Sequence, residues 1–270
     1  MGGGETVNRE ERLARLVELV IERGSVRLEE LVTELDISPA TARRDLDDLA
    51  DQQLIVRTRG GALANPSSGE MPLRFRSGRQ WAAKQAIAQH AASLVNPGDV
   101  IGFNAGTTTT AAAHEVGVRI AGDRSFGPES LTIVTNAVNI ANSLTVRPQA
   151  RVVVTGGVAR TRSFALVGRL AQAILPTIQL DTVFIGANAV DLTAGGIYTD
   201  SEEEAAMDAA MLAASRRVVV LADASKLSEH AFARICGLDA VSLVITDRSA
   251  DAEAISRLRG YGVEVVLAGD

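Results

Sequence analysis

From Arg9 to Arg23 the apolar residues Leu13, Leu16, Val17, Val20 and Ile21 recur at steps of three and four, and Gly24 follows as a stop. The spacing predicts an amphipathic helix. Leu28, Leu31, Val32 and Leu35 repeat the pattern in a shorter segment that ends at the Asp36-Ile37 turn. Ser38-Pro39 is a start signal, because a serine hydroxyl accepts from free first-turn amides and proline at the first helical position lacks only an N–H that has no partner there. The third helix is expected to run to about Ala50, with Ala42, Leu46 and Leu49 on one face and Ala40, Thr41, Arg43, Arg44 and Asp47 largely on the others. Two β-prone pieces, Leu54 to Arg57 and Ala62 to Leu63, flank Arg59-Gly60-Gly61 and predict a two-stranded wing with a glycine turn.

Residues 64–80 hold Asn65, Pro66, two serines, Gly69 and Pro72 before Arg74, Arg76 and Arg79, which is the composition of a linker. A helix is expected over about Gln80 to Val95. Beyond it, seven short Val/Ile-rich runs alternate with helical patterns: Val100–Phe103, Thr132–Thr135, Val152–Thr155, Thr182–Ile185, Val218–Ala222, Leu243–Thr246 and Val263–Leu267. Strands that are nearly continuous in apolar residues and alternate with helices predict a parallel sheet covered on both faces. The expected fold is therefore α/β: an N-terminal winged helix-turn-helix at 9–64, a linker at 65–80 and a parallel-sheet domain at 81–270.

Composition narrows the function classes. One cysteine, Cys236, forms no intramolecular disulfide, and three histidines with it offer no zinc cluster, so no metal is expected. Met1 to Glu10 lacks the basic flank and apolar stretch of a signal peptide, and no apolar run approaches a membrane span; a cytoplasmic protein is expected. The net charge of −6 argues against non-specific coating of nucleic acid, so any DNA contact must be local. Residues 1–60 carry nine arginines against thirteen Asp/Glu, but the last four arginines (Arg43, Arg44, Arg57 and Arg59) all follow Ser38.

The second helix of a helix-turn-helix presents its N-terminal residues to the major groove, where arginine grips guanine bidentately and threonine meets a thymine methyl or a phosphate. Here those residues are Pro39, Ala40, Thr41, Arg43 and Arg44. The run Ser38-Pro-Ala-Thr-Ala-Arg-Arg-Asp-Leu46, followed by Gln53-Leu-Ile-Val-Arg-Thr-Arg-Gly-Gly-Ala62, resembles the signature of the DeoR family of bacterial regulators position by position. That family's wing usually reads His-Gly-Gly-Ala, and Arg59 stands in the histidine's place. The resemblance implies double-stranded operator DNA as partner. It assigns the contacts to Ser38, Thr41, Arg43, Arg44, Arg57, Arg59 and Gly60, and leaves Asp45 to orient the arginines.

Asn104-Ala-Gly-Thr-Thr-Thr-Thr110 follows an expected strand and opens an expected helix, where α/β sheets bind ligands and first-turn amides cradle anions. Val134-Thr-Asn-Ala137, Thr155-Gly-Gly157, Phe184-Ile-Gly-Ala-Asn188, Glu202-Glu-Glu-Ala205 and Ala222-Asp-Ala-Ser-Lys226 each fall at a strand end or helix start. Their order and spacing resemble the DeoR-type sensor domain, which is similar in fold to ribose-5-phosphate isomerase and usually binds phosphorylated sugars. The resemblance covers about residues 9–247. It implies a small phosphorylated metabolite as effector, bound by Asn104, Gly106, Thr107, Thr108, Thr109, Asn136, Gly156, Gly157, Gly186, Glu204 and Lys226. In the family pattern the phosphate loop begins with aspartate, where Asn104 stands, and the helix after the glutamates carries a lysine, where Asp208 stands. A carboxylate beside a phosphate favours an amino sugar phosphate, or a metabolite with its charge elsewhere, with Lys226 as the opposing cation.

Two enzyme readings compete with regulation. The isomerase-like one needs a carboxylate base near the carbon acid, yet Gly186-Ala-Asn-Ala189 stands where that enzyme family has Gly-Ala-Asp-Glu. A dinucleotide-dependent oxidoreductase needs Gly-x-Gly-x-x-Gly after its first strand, and Gly102, Gly106 and the threonines do not form it. The pattern points to a regulator without cofactor, assembled as a homodimer or homotetramer. A DNA-binding protein whose second domain only dimerises stays open on sequence alone.

Overall fold

The computed structural model describes residues 9–51, 54–64 and 80–269. The expected linker, apart from Gln80, lies outside the described residues. Internal contacts divide the chain into Met1–Arg79 and Gln80–Asp270.

In the first unit, helices α1 (Arg9–Arg23), α2 (Leu28–Glu34) and α3 (Pro39–Asp51) stand where the periodicity puts them. Leu13, Leu16, Val17 and Val20 of α1 pack on Leu31, Leu46 and Leu49. The wing differs from expectation, because β1 (Ser25–Arg27) joins β2 (Ile55–Thr58) and β3 (Gly61–Ala64) in a three-stranded sheet of order β1-β3-β2. A three-residue strand with one buried apolar residue, Val26, is too short to leave an alternating pattern. Gly61 is required by this pairing: a Cβ there would stand 2.0 Å from the Val26 carbonyl oxygen.

The second unit opens with α4 (Trp81–Ser93) and contains seven parallel strands: β4 (Val100–Phe103), β5 (Leu131–Thr135), β6 (Ala150–Val154), β9 (Leu180–Gly186), β12 (Ser215–Leu221), β14 (Leu243–Asp247) and β15 (Glu264–Ala268). These are the seven runs read from the sequence. Their order is β15-β14-β12-β9-β4-β5-β6. One apolar layer gathers Ile87, Ile101, Phe103, Val116 and Ile133; the other gathers Val183, Val220, Val244, Met207 and Leu258. The covering helices are α5 (Thr107–Gly122), α6 (Val138–Leu144), the short α7 (Arg169–Gln172), α8 (Glu202–Ala213) and α9 (Ala252–Gly260).

The chain runs outward from β4 through β5 to β6, returns to place β9 beside β4, and then runs outward the other way. The direction reverses between β4 and β9, and the carboxyl ends of strands at such a reversal form a crevice. Two additions have no counterpart in the expected layout: a hairpin of β7 (Val158–Ala159) with β8 (Leu166–Val167), and an antiparallel sheet of β10 (Ala189–Asp191), β11 (Gly196–Thr199) and β13 (Ala233–Gly237).

Candidate functional site

The DNA-reading candidates sit on α3 and the wing. Ser38 Oγ accepts from the Thr41 amide at 3.1 Å and lies 2.8 Å from Thr41 Oγ1, so Ser38 caps α3 and occupies the Thr41 hydroxyl. Arg43 and Arg44 are exposed, and so is Arg59 in the wing turn with Gly60. Gly60 also fixes the turn, its carbonyl accepting from the Leu28 amide at 2.8 Å.

Two expectations change here. Asp45 does not orient Arg43 or Arg44: it is buried and holds Arg12 of α1 through contacts of 2.7 and 3.3 Å, tying α3 to α1 and raising the Arg12 pKa. Arg57 is bound to Asp47 of α3 at 2.8 Å and to the Gly61 carbonyl at 3.1 Å, which locks the wing onto the helix. Arg9–Asp48 and Arg23–Glu34 pair as well. Internal pairing thus explains how a net negative unit keeps Arg43, Arg44 and Arg59 without a carboxylate among the described residues.

The effector candidates gather at the carboxyl ends of β4, β5 and β9. Asn104 is buried, its Nδ2 donating to the Gly186 carbonyl at 3.0 Å and to Asp208 Oδ2 at 2.8 Å, while its Oδ1 accepts from the Gly186 amide at 2.9 Å. One side chain thereby clamps β4, β9 and α8 at the reversal point. Thr109 and Thr110 turn their hydroxyls back onto the Gly106 carbonyl, at 3.2 and 2.6 Å. The amides of Thr107, Thr108 and Thr109, in the first turn of α5, have no acceptor within the helix.

Thr135 Oγ1 donates to the Phe103 carbonyl at 2.8 Å, which brings Asn136 beside this loop. Asn136 Nδ2 donates to the Leu166 carbonyl at 3.2 Å, whereas its buried Oδ1 has no donor among the described residues. Gly156 and Gly157 have φ of 75° and 113°; a Cβ on Gly157 would stand 2.6 Å from Ala171 Cβ, so its role is close packing. Glu204 accepts from Ser163 Oγ at 2.5 Å and lies 3.6 Å from Arg160 Nε.

Lys226 is placed apart from the hydrogen-bonded cluster. It ends a 3-10 turn, Ala224–Lys226, with its amide bonded to the Asp223 carbonyl, and no described hydrogen bond or ion pair joins it to the Gly106 loop. Arg160 and Ser163, which no sequence motif singled out, stand at the rim instead.

The description "DeoR-like helix-turn-helix domain" matches residues 12–68, and "DeoR C terminal sensor domain" matches residues 79–248. The chain is 36% identical over 259 residues to the HTH-type transcriptional regulator GlpR of Haloferax volcanii, covering 95% of this chain and 96% of that one. The chain belongs to the DeoR family of transcriptional regulators. It is 31% identical to the glycerol-3-phosphate regulon repressor of Escherichia coli, covering 93% of this chain and 96% of the relative. It is 32% identical to the lactose phosphotransferase system repressor of Staphylococcus aureus, covering 96% and 100%.

The relatives are regulators along their whole length, and a DeoR-family regulator is not an enzyme. Among solved structures, ribose 5-phosphate isomerase A of Methanocaldococcus jannaschii overlaps 53% of this chain and 52% of its own, with 21% identity and a TM-score of 0.39. The sorbitol operon regulator SorC of Klebsiella pneumoniae overlaps 93% and 99%, with 14% identity and a TM-score of 0.42. Both overlaps are distant ones.

Within the DeoR pattern, the two departures prove to be one. Asn104 and Asp208, the two positions that depart from the pattern the resemblance implies, bond to each other. Asp208 is therefore not a free carboxylate facing a phosphate, and it gives no reason to favour an amino sugar. Full burial, with Glu204 adding repulsion, pushes the Asp208 pKa well above the ordinary 3.8, although the Asn104 bond opposes this. A carboxyl raised on folding holds its proton in the native state at pH values where the unfolded chain has lost it. The resulting stability is fully present below the unfolded pKa and declines as pH rises towards the folded one. Across that window the slope is about 1.4 kcal/mol per pH unit for one proton. Asp208→Asn, which keeps an acceptor for Asn104, is expected to remove this slope. Urea unfolding of both proteins from pH 4 upwards checks it, and parallel stability curves would refute it.

Proposed function

We infer that this DeoR-family regulator is a cytoplasmic repressor that binds a two-fold operator as a homodimer or homotetramer. Its grip on DNA changes when a phosphorylated sugar or similar anionic metabolite enters the rim at β4 and β9. The observation that carries the reading is the first turn of α5, with three amides that lack helical acceptors, at the reversal point of a parallel sheet. Such a terminus favours anions through its dipole and its free donors. Relatives named for a glycerol-3-phosphate regulon and a lactose phosphotransferase system fit a phosphate ester as ligand. No helix among the described residues is long and apolar enough to cross a membrane.

The test titrates the protein with DNA from the promoter region beside its own gene, with and without a panel of sugar phosphates and glycerol 3-phosphate. Saturating effector is expected to shift operator affinity roughly 5- to 150-fold, and operator DNA to shift effector affinity by the same factor. Operator affinity indifferent to every member, with no member bound, leaves the second domain as a dimerisation module.

A further inference from the structure

The loops above the sheet carry more acid than base. Asp200, Glu203 and Glu204 lie at or near the start of α8, and an anion arriving there meets their repulsion unless a cation is released to it. Arg160, in the turn between β7 and β8, is the cation whose place is set by bonds to several parts of the rim. Its amide donates to the Ala165 carbonyl at 2.8 Å, and Ala165 bridges to Ala137, next to Asn136. Its guanidinium donates to Ser201 Oγ at the cap of α8 and lies 3.6 Å from Glu204 Oε1 and 3.9 Å from Glu203 Oε2.

Glu204 holds the two donors that an anion would draw on. Its carboxylate accepts from the Ser163 hydroxyl and faces the Arg160 guanidinium, and these two donors are of the kind that holds a phosphate oxygen. The Arg160 side chain keeps 27% of its surface exposed, so a ligand reaches it without opening the core. A separate observation concerns Asn136, whose buried Oδ1 has no donor among the described residues. An acceptor left unmet in this way is unfavourable, and a ligand hydroxyl satisfies it.

We propose that Arg160 supplies a second grip, besides the first turn of α5, on the anionic group of the effector and that Glu204 is its intramolecular competitor. The incoming anion takes the guanidinium and the Ser163 hydroxyl from Glu204, while a hydroxyl of the same ligand donates to Asn136 Oδ1. The ligand class is a phosphorylated polyol or sugar, carrying an anion and a free hydroxyl on one small molecule. Exchange of Arg160 away from Glu204 also loosens the β7–β8 hairpin from the cap of α8, which gives ligand entry a structural consequence. The inference rests on the sensing role inferred above.

Calorimetric titration with glycerol 3-phosphate, hexose and pentose phosphates and inorganic phosphate tests it on the wild type, Arg160→Ala, Arg160→Lys and Glu204→Gln. The expected result is that wild type binds a polyol or sugar phosphate more tightly than inorganic phosphate. Arg160→Ala loses about 10- to 100-fold in affinity, the worth of a charge-assisted hydrogen bond, and Arg160→Lys recovers part of it. Glu204→Gln, which still accepts from Ser163, gains affinity for the same ligand by about tenfold or more, an effect that a damaged fold does not produce. Wild-type affinity in Arg160→Ala, or unchanged or weakened binding in Glu204→Gln, overturns the assignment and leaves the sensing role standing. Absence of binding by every protein to every member removes both.

Discussion

Asp45→Ala is expected to destabilise the winged helix-turn-helix by on the order of 3 kcal/mol, as loss of one partner from a buried ion pair does. The aspartate is nearly inaccessible, and its Arg12 partner keeps only 18% of its side-chain surface exposed. Removing the carboxylate leaves a largely covered guanidinium at the α1–α3 contact without its counter-ion. For a unit of this size the melting temperature should fall by roughly 10 °C or more, and operator binding should fall with it through loss of the folded reader. A double replacement, Arg12→Met with Asp45→Leu, removes both charges and should restore much of the stability. Thermal unfolding followed by circular dichroism checks both. A wild-type melting temperature in Asp45→Ala would show that the pair contributes nothing.

Arg43→Ala and Arg44→Ala are expected to act in the opposite manner, leaving the fold intact and weakening the DNA complex. Both side chains are exposed and hold no carboxylate among the described residues, so their loss should change stability by less than about 0.5 kcal/mol. Each should reduce operator affinity by about 1–3 kcal/mol if it reads a base, and the double variant by more than either. Fluorescence anisotropy on operator and on unrelated DNA separates the two roles: a base-reading arginine loses discrimination, whereas a phosphate-binding one weakens both complexes alike. If the double variant binds operator as tightly as wild type, α3 is not the reading helix.

The contrast between these residues marks what sequence conveys and what it withholds. Seven apolar runs announce the seven parallel strands because strands buried on both faces need nearly continuous apolar side chains. Periodicity likewise places α1, α2 and α3 to within a residue or two. The strands that escape notice, β1, β7, β8, β10, β11 and β13, lie outside the seven-stranded parallel sheet, are two to five residues long, and lack the continuous apolar run that marks a strand buried on both faces. Residue roles follow the same division. Arg43 and Arg44 are legible as exposed because the apolar face of α3 excludes them. Asp45 reads as their neighbour, when its partner is Arg12, 33 positions away. Ser163 meets Glu204 across 41 positions and Asn104 meets Asp208 across 104, separations over which one sequence carries no signal of pairing. Lys226 drew attention as the charged residue of a motif, yet it is Arg160 that stands against Glu204 at the rim.

The bond between Asn104 and Asp208 has a consequence for descent and for engineering. With the family's aspartate restored at 104 alone, two carboxyl groups would face each other in a site closed to water. With the family's lysine restored at 208 alone, a buried ammonium would lack its carboxylate. A single step that leaves a buried group unpaired costs about 1–3 kcal/mol, so exchanging both residues together is expected to be less destabilising than exchanging either alone. Positions 104 and 208 should therefore covary among relatives. Conversion of one arrangement into the other is expected to cost least when both residues are exchanged in the same molecule.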